Sequence, residues 1–245
     1  MGLNAPDIRE SGMKGERGRE QGGGPSYQHL VSIGDRPAEP RGMAESKSSD
    51  WRERVIRQLK ASGRRLLETL ERRRAETLRR KPARLTRMLR RSRNVLILCQ
   101  GNVIRSVFAT YLLSAALAGR NGGSIRSAGL ATEPGWRAHP RVIARCTALD
   151  LDLSGHSSVA VTEAMVKTAD VVLVMEVSQL IAVARRFFRA RRKTFLLSCL
   201  APDVPMEIED PAGREDAVVD ACLDHIARAL KPVIAIMTDR DTIAT

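Results

Sequence analysis

A cysteine stands at the end of a short apolar run, and an arginine and a serine follow it at a fixed distance. Cys99 follows residues 95–98, and Arg105 and Ser106 come six and seven positions later. When such a loop joins a strand to a helix, its backbone N–H groups and the helix N-terminus converge and favour negative charge. The spacing therefore predicts a phosphate-binding loop that also favours the thiolate of Cys99. The five residues between the cysteine and the arginine are Gln100, Gly101, Asn102, Val103 and Ile104.

Three of these residue types suit a close-fitting anion site. Gly101 permits either close approach of the backbone to a ligand or a positive φ. Asn102 tolerates a left-handed conformation while its amide bonds to neighbouring loops. Arg105 carries a planar fork that can donate to two phosphate oxygens. With a thiolate beneath the phosphate, the arrangement predicts nucleophilic catalysis at phosphorus, although Cys99 taken alone also fits an ordinary buried thiol.

The segments around this loop alternate between strand and helix patterns. Such alternation is typical of an α/β fold, in which helices cover both faces of a parallel sheet. The loop would then lie at the carboxyl edge of that sheet. The expected strands are 94–98, 124–127, 170–175 and 194–197, and the expected helices are 105–117, 140–149, 162–168, 177–189 and 217–230.

The formal charge of +13 divides the chain into three parts. Residues 1–50 carry 7 basic and 8 acidic groups, residues 51–93 carry 17 and 4, and residues 94–245 carry 17 and 16. One segment therefore holds the excess of positive charge. We expect a disordered tail over 1–50, a basic amphipathic helical extension over 51–92 and a catalytic domain over 93–245.

The basic segment has an amphipathic helical pattern. Apolar residues recur four positions apart at Trp51, Val55 and Leu59, and again further along the segment. Gly63 should weaken the helix and Pro82 should break it, so a long helix followed by a short one is expected. Such a helix could lie on anionic lipid, coat nucleic acid, dock an acidic protein, or simply be a solvated flank of the domain.

Composition argues for a protein of the cytoplasm. The longest apolar stretch, 107–119, is too short for the roughly 20 residues that cross a bilayer. The first thirty residues lack the apolar core of a secretory signal. Four unevenly spaced cysteines predict neither a disulfide scaffold nor a zinc module.

Five motifs together resemble the low-molecular-weight protein tyrosine phosphatases. The loop at 99–106 has that family's signature, Cys-x-Gly-Asn-x-x-Arg-Ser. In family order, Ser127-Ala128-Gly129 is similar to its Ser-Ala-Gly, and Leu153-Ser154-Gly155-His156 to its Leu-Ser-Gly-His. The run 170–176 resembles its apolar strand ending in Asp or Glu, and 207–211 its late Asp-Pro loop. The resemblance covers nearly all of residues 93–230.

The resemblance implies a two-step reaction without a metal or an organic cofactor. Cys99 would attack phosphorus to form a thiophosphate ester, and Asp210 would protonate the leaving oxygen and then help to activate water. Arg105 and the loop amides would stabilise the equatorial oxygens, and Ser106 would donate to the sulfur. Without the family position, Asp210 before a proline would more simply begin a turn. The residues implied to support the loop are Asn102, Ser127 and His156.

The same resemblance implies a flavodoxin-like sheet of four parallel strands in the order 2-1-3-4, with the ligand at the carboxyl edge. The implied substrate is phosphotyrosine in proteins. The implied partner is a phosphoprotein, such as a bacterial tyrosine kinase.

Two departures from the family pattern concern the site. Ile104 occupies the position where the family often has a second cysteine, which excludes a protective disulfide between neighbours in the loop. Ala212 follows Asp-Pro where the family usually has an aromatic wall for the substrate, and Trp136, in a variable loop, is a candidate replacement.

Three alternatives stay open at this stage. An arsenate reductase on the same scaffold would need two further cysteines close together, and Cys199 has no such neighbour. An arginine phosphatase typically has Thr at the position of Val103, so an apolar residue there favours tyrosine-type substrates. A catalytically weak phosphate-binding module, tethered by its basic helix, is the third.

Overall fold

The computed structural model describes residues 47–119 and 123–239, with side chains from residue 53 onward. Most of the predicted tail, residues 1–46, therefore lies outside the described residues. The first helix already begins at Lys47, four residues before the predicted start of the extension at residue 51.

A single parallel sheet of four strands forms the centre of the domain. Its order is β2-β1-β3-β4, which confirms the predicted arrangement. Val95 pairs with Ile125 on one side and with Val171 on the other, so β1 is flanked by β2 and β3. The strands are β1 (Asn94–Cys99), β2 (Ser124–Gly129), β3 (Val171–Val174) and β4 (Thr194–Leu196).

Helices surround the sheet, as the alternating pattern predicts. They are α1 (Lys47–Arg80), α2 (Ala83–Arg91), α3 (Arg105–Ala116), α4 (Pro140–Thr147), α5 (Glu163–Thr168), α6 (Val177–Arg186) and α7 (Asp216–Thr238). Two 3₁₀ segments, Phe188–Lys193 and Leu197–Leu200, flank β4. Among the described helices, none is both long enough and apolar enough to cross a bilayer.

Two predicted helix ends were wrong. The expected helix 177–189 stops at Arg186, because Phe187 leaves the helical region with φ −135° and ψ 68°. The expected end at residue 230 is passed by α7, which continues through Pro232 to Thr238. Burial of Val233 and Met237 offsets the backbone hydrogen bond that a proline inside a helix cannot make.

The central strands are buried on both faces. Residues 95–99 and 171–174 are at most 2% exposed. Unbroken runs of Val, Leu and Ile suit this environment, because each face of a covered parallel sheet excludes water. The rigid centre of the sheet thus ends at Cys99.

The basic segment forms the two helices that its pattern predicts. α1 runs without interruption through Gly63, and the break comes at Lys81-Pro82. The end of this segment belongs to the hydrophobic core, since Ala75, Leu85 and Leu89 are at most 1% exposed.

An acidic side chain attaches α1 to the 3₁₀ segment that precedes β4. Glu71, whose side chain is 4% exposed, accepts from Arg74 Nη1 at 2.9 Å and from Arg191 Nε at 2.7 Å. Burial works to raise the pKa of the Glu71 carboxyl, but the hydrogen bonds and charges of the two arginines outweigh it and hold that pKa below its ordinary value.

Three arginines of α1 and α2 add bonds to backbone carbonyls. Arg74 Nη2 donates to the carbonyls of Arg191 and Thr194, the latter on β4. Arg79 Nη2 donates to the carbonyls of Ala201 and Val204. Arg84 donates to the carbonyl of Arg192 at 2.7 Å. These cations are therefore structural donors.

Replacing Glu71 should weaken the fold. Glu71→Ala removes the shared acceptor of two arginines, so we expect the free energy of unfolding to fall by about 2 to 3 kcal/mol in urea denaturation at pH 7. Glu76→Ala, an exposed glutamate on the same helix, is the matched control and should change it little. Because the folded pKa of Glu71 is depressed, its contribution exists above the ordinary pKa of 4.5 and disappears as the pH falls through the folded value. Equal effects of both substitutions would contradict this account of the attachment.

Candidate active site

The predicted loop lies between the central strand and the first domain helix. β1 ends at Cys99 and α3 begins at Arg105, so residues 100–104 turn the chain at the carboxyl edge of the sheet. Cys99 and Ser106 are at most 2% exposed. The thiol therefore lies at the base of the loop, where strand and helix hold it from both sides.

Two donors point at the sulfur of Cys99. The backbone N–H of Asn102 donates to Cys99 Sγ at 3.2 Å, and Ser106 Oγ lies 3.0 Å from the same sulfur. Asn102 Nδ2, which can only donate, bonds to Ser106 Oγ at 3.0 Å. The single proton of the Ser106 hydroxyl is then directed to the sulfur. Both groups are placed to stabilise negative charge that develops on the sulfur during a reaction.

Asn102 holds the loop in shape through all of its polar groups. Its side-chain Oδ1 accepts from the N–H of Val159 at 3.0 Å, and its backbone carbonyl lies 3.0 Å from His156 Nε2. Because a carbonyl can only accept, Nε2 of His156 carries the proton. Asn102 has φ 54°, which confirms the predicted left-handed conformation. Gly101 has no positive φ, so of its two predicted roles only close approach of the backbone to a ligand is still open.

The segment after β2 supports the loop from below. The N–H groups of Leu130 and Ala131 donate to the carbonyls of Cys99 and Gln100 at 2.9 and 3.0 Å. A Cβ at Gly129 would lie only 2.9 Å from the Gln100 carbonyl oxygen. The close passage of these two segments therefore requires glycine at the end of the Ser-Ala-Gly motif, a role that the sequence analysis did not identify.

Arg105 is buried among acceptors. Its Nη1 donates to Glu176 Oε1 at 2.8 Å and to the carbonyl of Ile208 at 2.9 Å, and its Nη2 pairs with Asp210 Oδ2. The Arg105 side chain is only 1% exposed. Two distant parts of the chain, the end of β3 and the loop 208–210, thus meet at this guanidinium group.

Asp210 lies at the exposed side of this cluster. Its side chain is 38% exposed, and Oδ1 accepts from the N–H of Ala212 at 3.2 Å. The turn that an Asp-Pro sequence favours is therefore present. The other carboxylate oxygen of Asp210, Oδ2, contacts Arg105 at the same time. The carboxyl group is accessible to solvent and tied to the loop that contains Cys99.

Sequence reasoning did not assign a role to Glu176. It follows β3, the strand beside β1, and parallel strands end at the same edge of a sheet. An acidic residue just beyond that strand end could have been identified as a partner for Arg105 by this argument. Its second oxygen accepts from Ser178 Oγ at 3.0 Å, which orients the carboxylate.

Comparison with known proteins agrees with this geometry. The sequence profile of the family described as "Low molecular weight phosphotyrosine protein phosphatase" matches residues 94–241, more than half of the chain. The chain belongs to this low molecular weight phosphatase family. Its members are hydrolases, and the curated and structural relatives are protein phosphatases.

Relatives include enzymes named for two different substrates. A probable low molecular weight protein-tyrosine-phosphatase, EpsP of Ralstonia solanacearum, is 30% identical over 140 residues, which cover 56% of this chain and 91% of that protein. A protein-arginine-phosphatase of Bacillus subtilis is 28% identical over 140 residues, which cover 56% of this chain and 92% of that protein. Among solved structures, the tyrosine phosphatase Wzb from Escherichia coli K30 in complex with sulphate superposes with a TM-score of 0.54 and 30% sequence identity. The match covers 59% of this chain and 97% of that chain.

The remaining predicted site residues of this phosphatase lie around the loop. Gln100 is exposed at its mouth, whereas Val103 and Ile104 are 8% and 4% exposed. The Val103 carbonyl accepts from the N–H of His139 at 2.9 Å. Trp136, three residues before His139, is half-buried, and its backbone pairs with Ser158.

The two predicted supporting residues of the phosphatase loop differ in their contacts. His156 bonds directly to the Asn102 carbonyl, as described above. Ser127 lies on β2 and lines a cavity of about 660 Å³ together with Asn102 and His156. Among the bonds of the described residues, the Ser127 side chain makes none to the loop. Direct support comes instead from His156 and the Val159 amide.

The other three cysteines of the phosphatase are buried thiols. Burial raises the pKa of Cys146 to about 11 and that of Cys222 to about 12, and it also raises the pKa of Cys199. A protonated, buried thiol is a poor nucleophile and a poor redox partner. Within residues 53–119 and 123–239, no group of three or more His, Cys, Asp or Glu side chains could hold a metal ion.

Substitution of Asn102 should separate backbone strain from lost bonds. Asn102→Ala removes two side-chain hydrogen bonds and puts alanine, which tolerates the left-handed region less well than asparagine, at φ 54°, so the free energy of unfolding should fall by about 3 kcal/mol. Asn102→Gly loses the same bonds without the strain, and its loss should be about 1 kcal/mol smaller. Urea denaturation of both variants measures the difference. Equal losses of unfolding free energy in the two variants would show that the left-handed backbone at residue 102 does not strain alanine.

The phosphatase should lose stability as the pH falls from about 7 to about 5.5. Burial lowers the pKa of His139, His156 and His225 from the ordinary 6.5. The unfolded chain therefore binds protons more readily than the folded chain below pH 6.5, and protonation favours unfolding. His156→Gln, whose amide can still donate to Asn102, should reduce the slope of unfolding free energy against pH. A slope that is unchanged by this substitution would contradict the buried neutral imidazole.

Proposed function

We propose that the protein hydrolyses phosphotyrosine in proteins through a covalent phosphate ester of Cys99. The observation that supports this most directly is the sulfur environment: Cys99 Sγ receives the Asn102 amide at 3.2 Å and the Ser106 hydroxyl at 3.0 Å. Arg105 ties the carboxyl group of Asp210 to the same loop. A nucleophile and an acid therefore share one guanidinium-lined site.

The first step transfers the phosphoryl group to sulfur. The Cys99 thiolate supplies the electron pair for a new S–P bond, and the P–O bond to the tyrosyl oxygen breaks. The protonated Asp210 gives its proton to that oxygen, so that tyrosine leaves as a neutral phenol. The accessible position of Asp210 suits contact with a leaving group that stays outside the loop.

The second step releases phosphate. Asp210, now a carboxylate, accepts a proton from water while the water oxygen forms a bond to phosphorus. The S–P bond breaks and its electron pair returns to Cys99. The Ser106 hydroxyl, which donates to this sulfur, stabilises the departing thiolate.

Arg105 is arranged to bind two oxygens of the transferred group. Glu176, the Ile208 carbonyl and Asp210 accept from three of its five N–H groups. No described residue accepts from the Nε–H or from the second N–H of Nη2. These two can form a bidentate contact with the equatorial oxygens, while the loop amides bind the rest of the charge. Glu176 is a positioning residue for this contact.

Phosphotyrosine is the substrate that the loop residues favour. Val103 is apolar where the resembled arginine phosphatases typically have Thr, and tyrosine phosphatases are among the relatives at 30% identity. Ala212 is exposed and too small to form an aromatic wall, so we propose that Trp136 contributes to substrate contact instead. The arginine phosphatase relative makes phosphoarginine the competing substrate.

The test compares variants on p-nitrophenyl phosphate in EDTA at about pH 5.5, on the acid side of neutral. Cys99→Ser should reduce turnover to background, and Asp210→Asn should reduce kcat by about 10²- to 10⁴-fold. Matched controls are Cys146→Ala, a buried thiol elsewhere, and the exposed Asp150→Asn; both should retain activity. Turnover that survives Cys99→Ser would refute the covalent mechanism.

Peptides that carry phosphotyrosine, phosphoarginine or phosphoserine then separate the substrate classes. We expect the highest kcat/KM on phosphotyrosine. A preference for phosphoarginine would overturn the substrate proposal while leaving the mechanism intact. Phosphate binding without turnover by the folded wild type would favour the binding-module alternative.

A further inference from the structure

A stripe of large apolar side chains along α1 is open to solvent. It consists of Val55, Ile56, Leu59, Leu66, Leu67 and Leu70, which are 39% to 67% exposed. At about 100° per residue, these six positions and Gly63 fall within about 120° of the helix circumference. We refer to them as the apolar stripe of α1.

The apolar stripe is centred away from the face that packs on the domain, although the two adjoin near Arg74. α1 docks through Glu71 and Ala75, which are 3% and 1% exposed. On the helix these two positions lie about a third of a turn away from the centre of the stripe. Within the part of the chain that the structure describes, nothing covers the stripe. An amphipathic helix gains most of its stability by burying such a face, so a partner surface is expected.

Cations border the stripe. Lys60 and Arg64 follow one edge of it, and Arg57 lies just beyond them; all three are exposed. Residues 53–70 contain five basic side chains and two acidic ones, Glu53 and Glu68. Glu68 is itself 4.0 Å from Arg72. The surface that receives the stripe must therefore be apolar in its interior and negatively charged at its boundary.

We propose that residues 53–70 of α1 bind the surface of an anionic lipid membrane, with the apolar stripe in the acyl boundary and the cations at the lipid headgroups. A lipid surface supplies both properties at once, and helices with this distribution lie in its plane. Each cation near an anionic leaflet adds to the affinity, and the attraction weakens with added salt.

Two other occupants fit the observations less well. A second copy of α1 would bring like charges together along the border of the stripe, which opposes association. Nucleic acid would attract the cations, but aliphatic side chains neither stack on bases nor bond to their edges. The stripe would then stay exposed, so charge and hydrophobicity together favour lipid.

Co-sedimentation with vesicles tests the proposal on the full chain. Binding should be strong to phosphatidylcholine containing about 30% phosphatidylglycerol, and weak to phosphatidylcholine alone. Leu59→Ser with Leu66→Ser should abolish binding without loss of folding, because both side chains are exposed. Arg57→Gln, Lys60→Gln and Arg64→Gln together should weaken it by about a hundredfold.

A matched triple variant distinguishes the helix from bulk charge. Arg87→Gln, Arg90→Gln and Arg91→Gln remove three exposed cations from α2 and change the net charge equally. This variant should bind vesicles nearly as well as the wild type. If both triple variants lose binding equally, net charge alone explains the affinity and the proposal is wrong.

The remaining outcomes are equally decisive. Failure of the wild type to bind anionic vesicles overturns the proposal, as does tight oligonucleotide binding that survives the leucine substitutions. Self-association that the leucine substitutions abolish, without vesicle binding, would assign the stripe to a second copy. Cys99→Ser should bind vesicles normally, and the α1 variants should hydrolyse p-nitrophenyl phosphate normally in solution. Membrane binding and catalysis can therefore fail independently.

Discussion

The left-handed backbone of Asn102 is the constraint on which the site depends. An asparagine there directs its amide N–H to the Cys99 sulfur and its side-chain nitrogen to Ser106, while its two carbonyl oxygens receive Val159 and His156. Asparagine combines tolerance of φ 54° with a short side chain that both donates and accepts. The sulfur, the serine and two distant segments are thereby held together by one residue.

Electrostatic balance at Arg105 follows from this rigid loop. An almost fully buried guanidinium would be costly without acceptors, and Glu176, Asp210 and a backbone carbonyl supply them. These acceptors also orient the planar fork, because it must satisfy all of them simultaneously. The negative charge of Glu176 beside the phosphate site is therefore compatible with anion binding, because Arg105, which Glu176 orients, neutralises it.

The strands and the loop could be predicted from the sequence pattern, because buried parallel strands are uninterrupted apolar runs and the loop has a characteristic spacing. The order of the strands was implied only by the resemblance to the phosphatase family. Contacts between distant positions could not be predicted in the same way. Arg74, Arg79 and Arg84 counted as surface charge in the sequence, yet they donate to carbonyls more than a hundred residues away. The position of Glu176 just after β3 places it at the same edge of the sheet as the loop, which made its contact with Arg105 an exception. Similarly, the amphipathic pattern of α1 did not show which of its faces would pack.

The arginines that α1 directs at backbone carbonyls have a consequence for association between chains. β4 is the last strand on its side of the sheet, and the outer edge of such a strand is a template for pairing with a strand of another molecule. Arg74 donates to the Thr194 carbonyl on this strand, and α1 contacts the 3₁₀ segment Leu197–Leu200 that follows it. The basic extension thus protects the domain against edge-to-edge aggregation. A shortened chain that begins at β1 would lose this protection, and it would be prone to precipitate even where its active-site loop can still form.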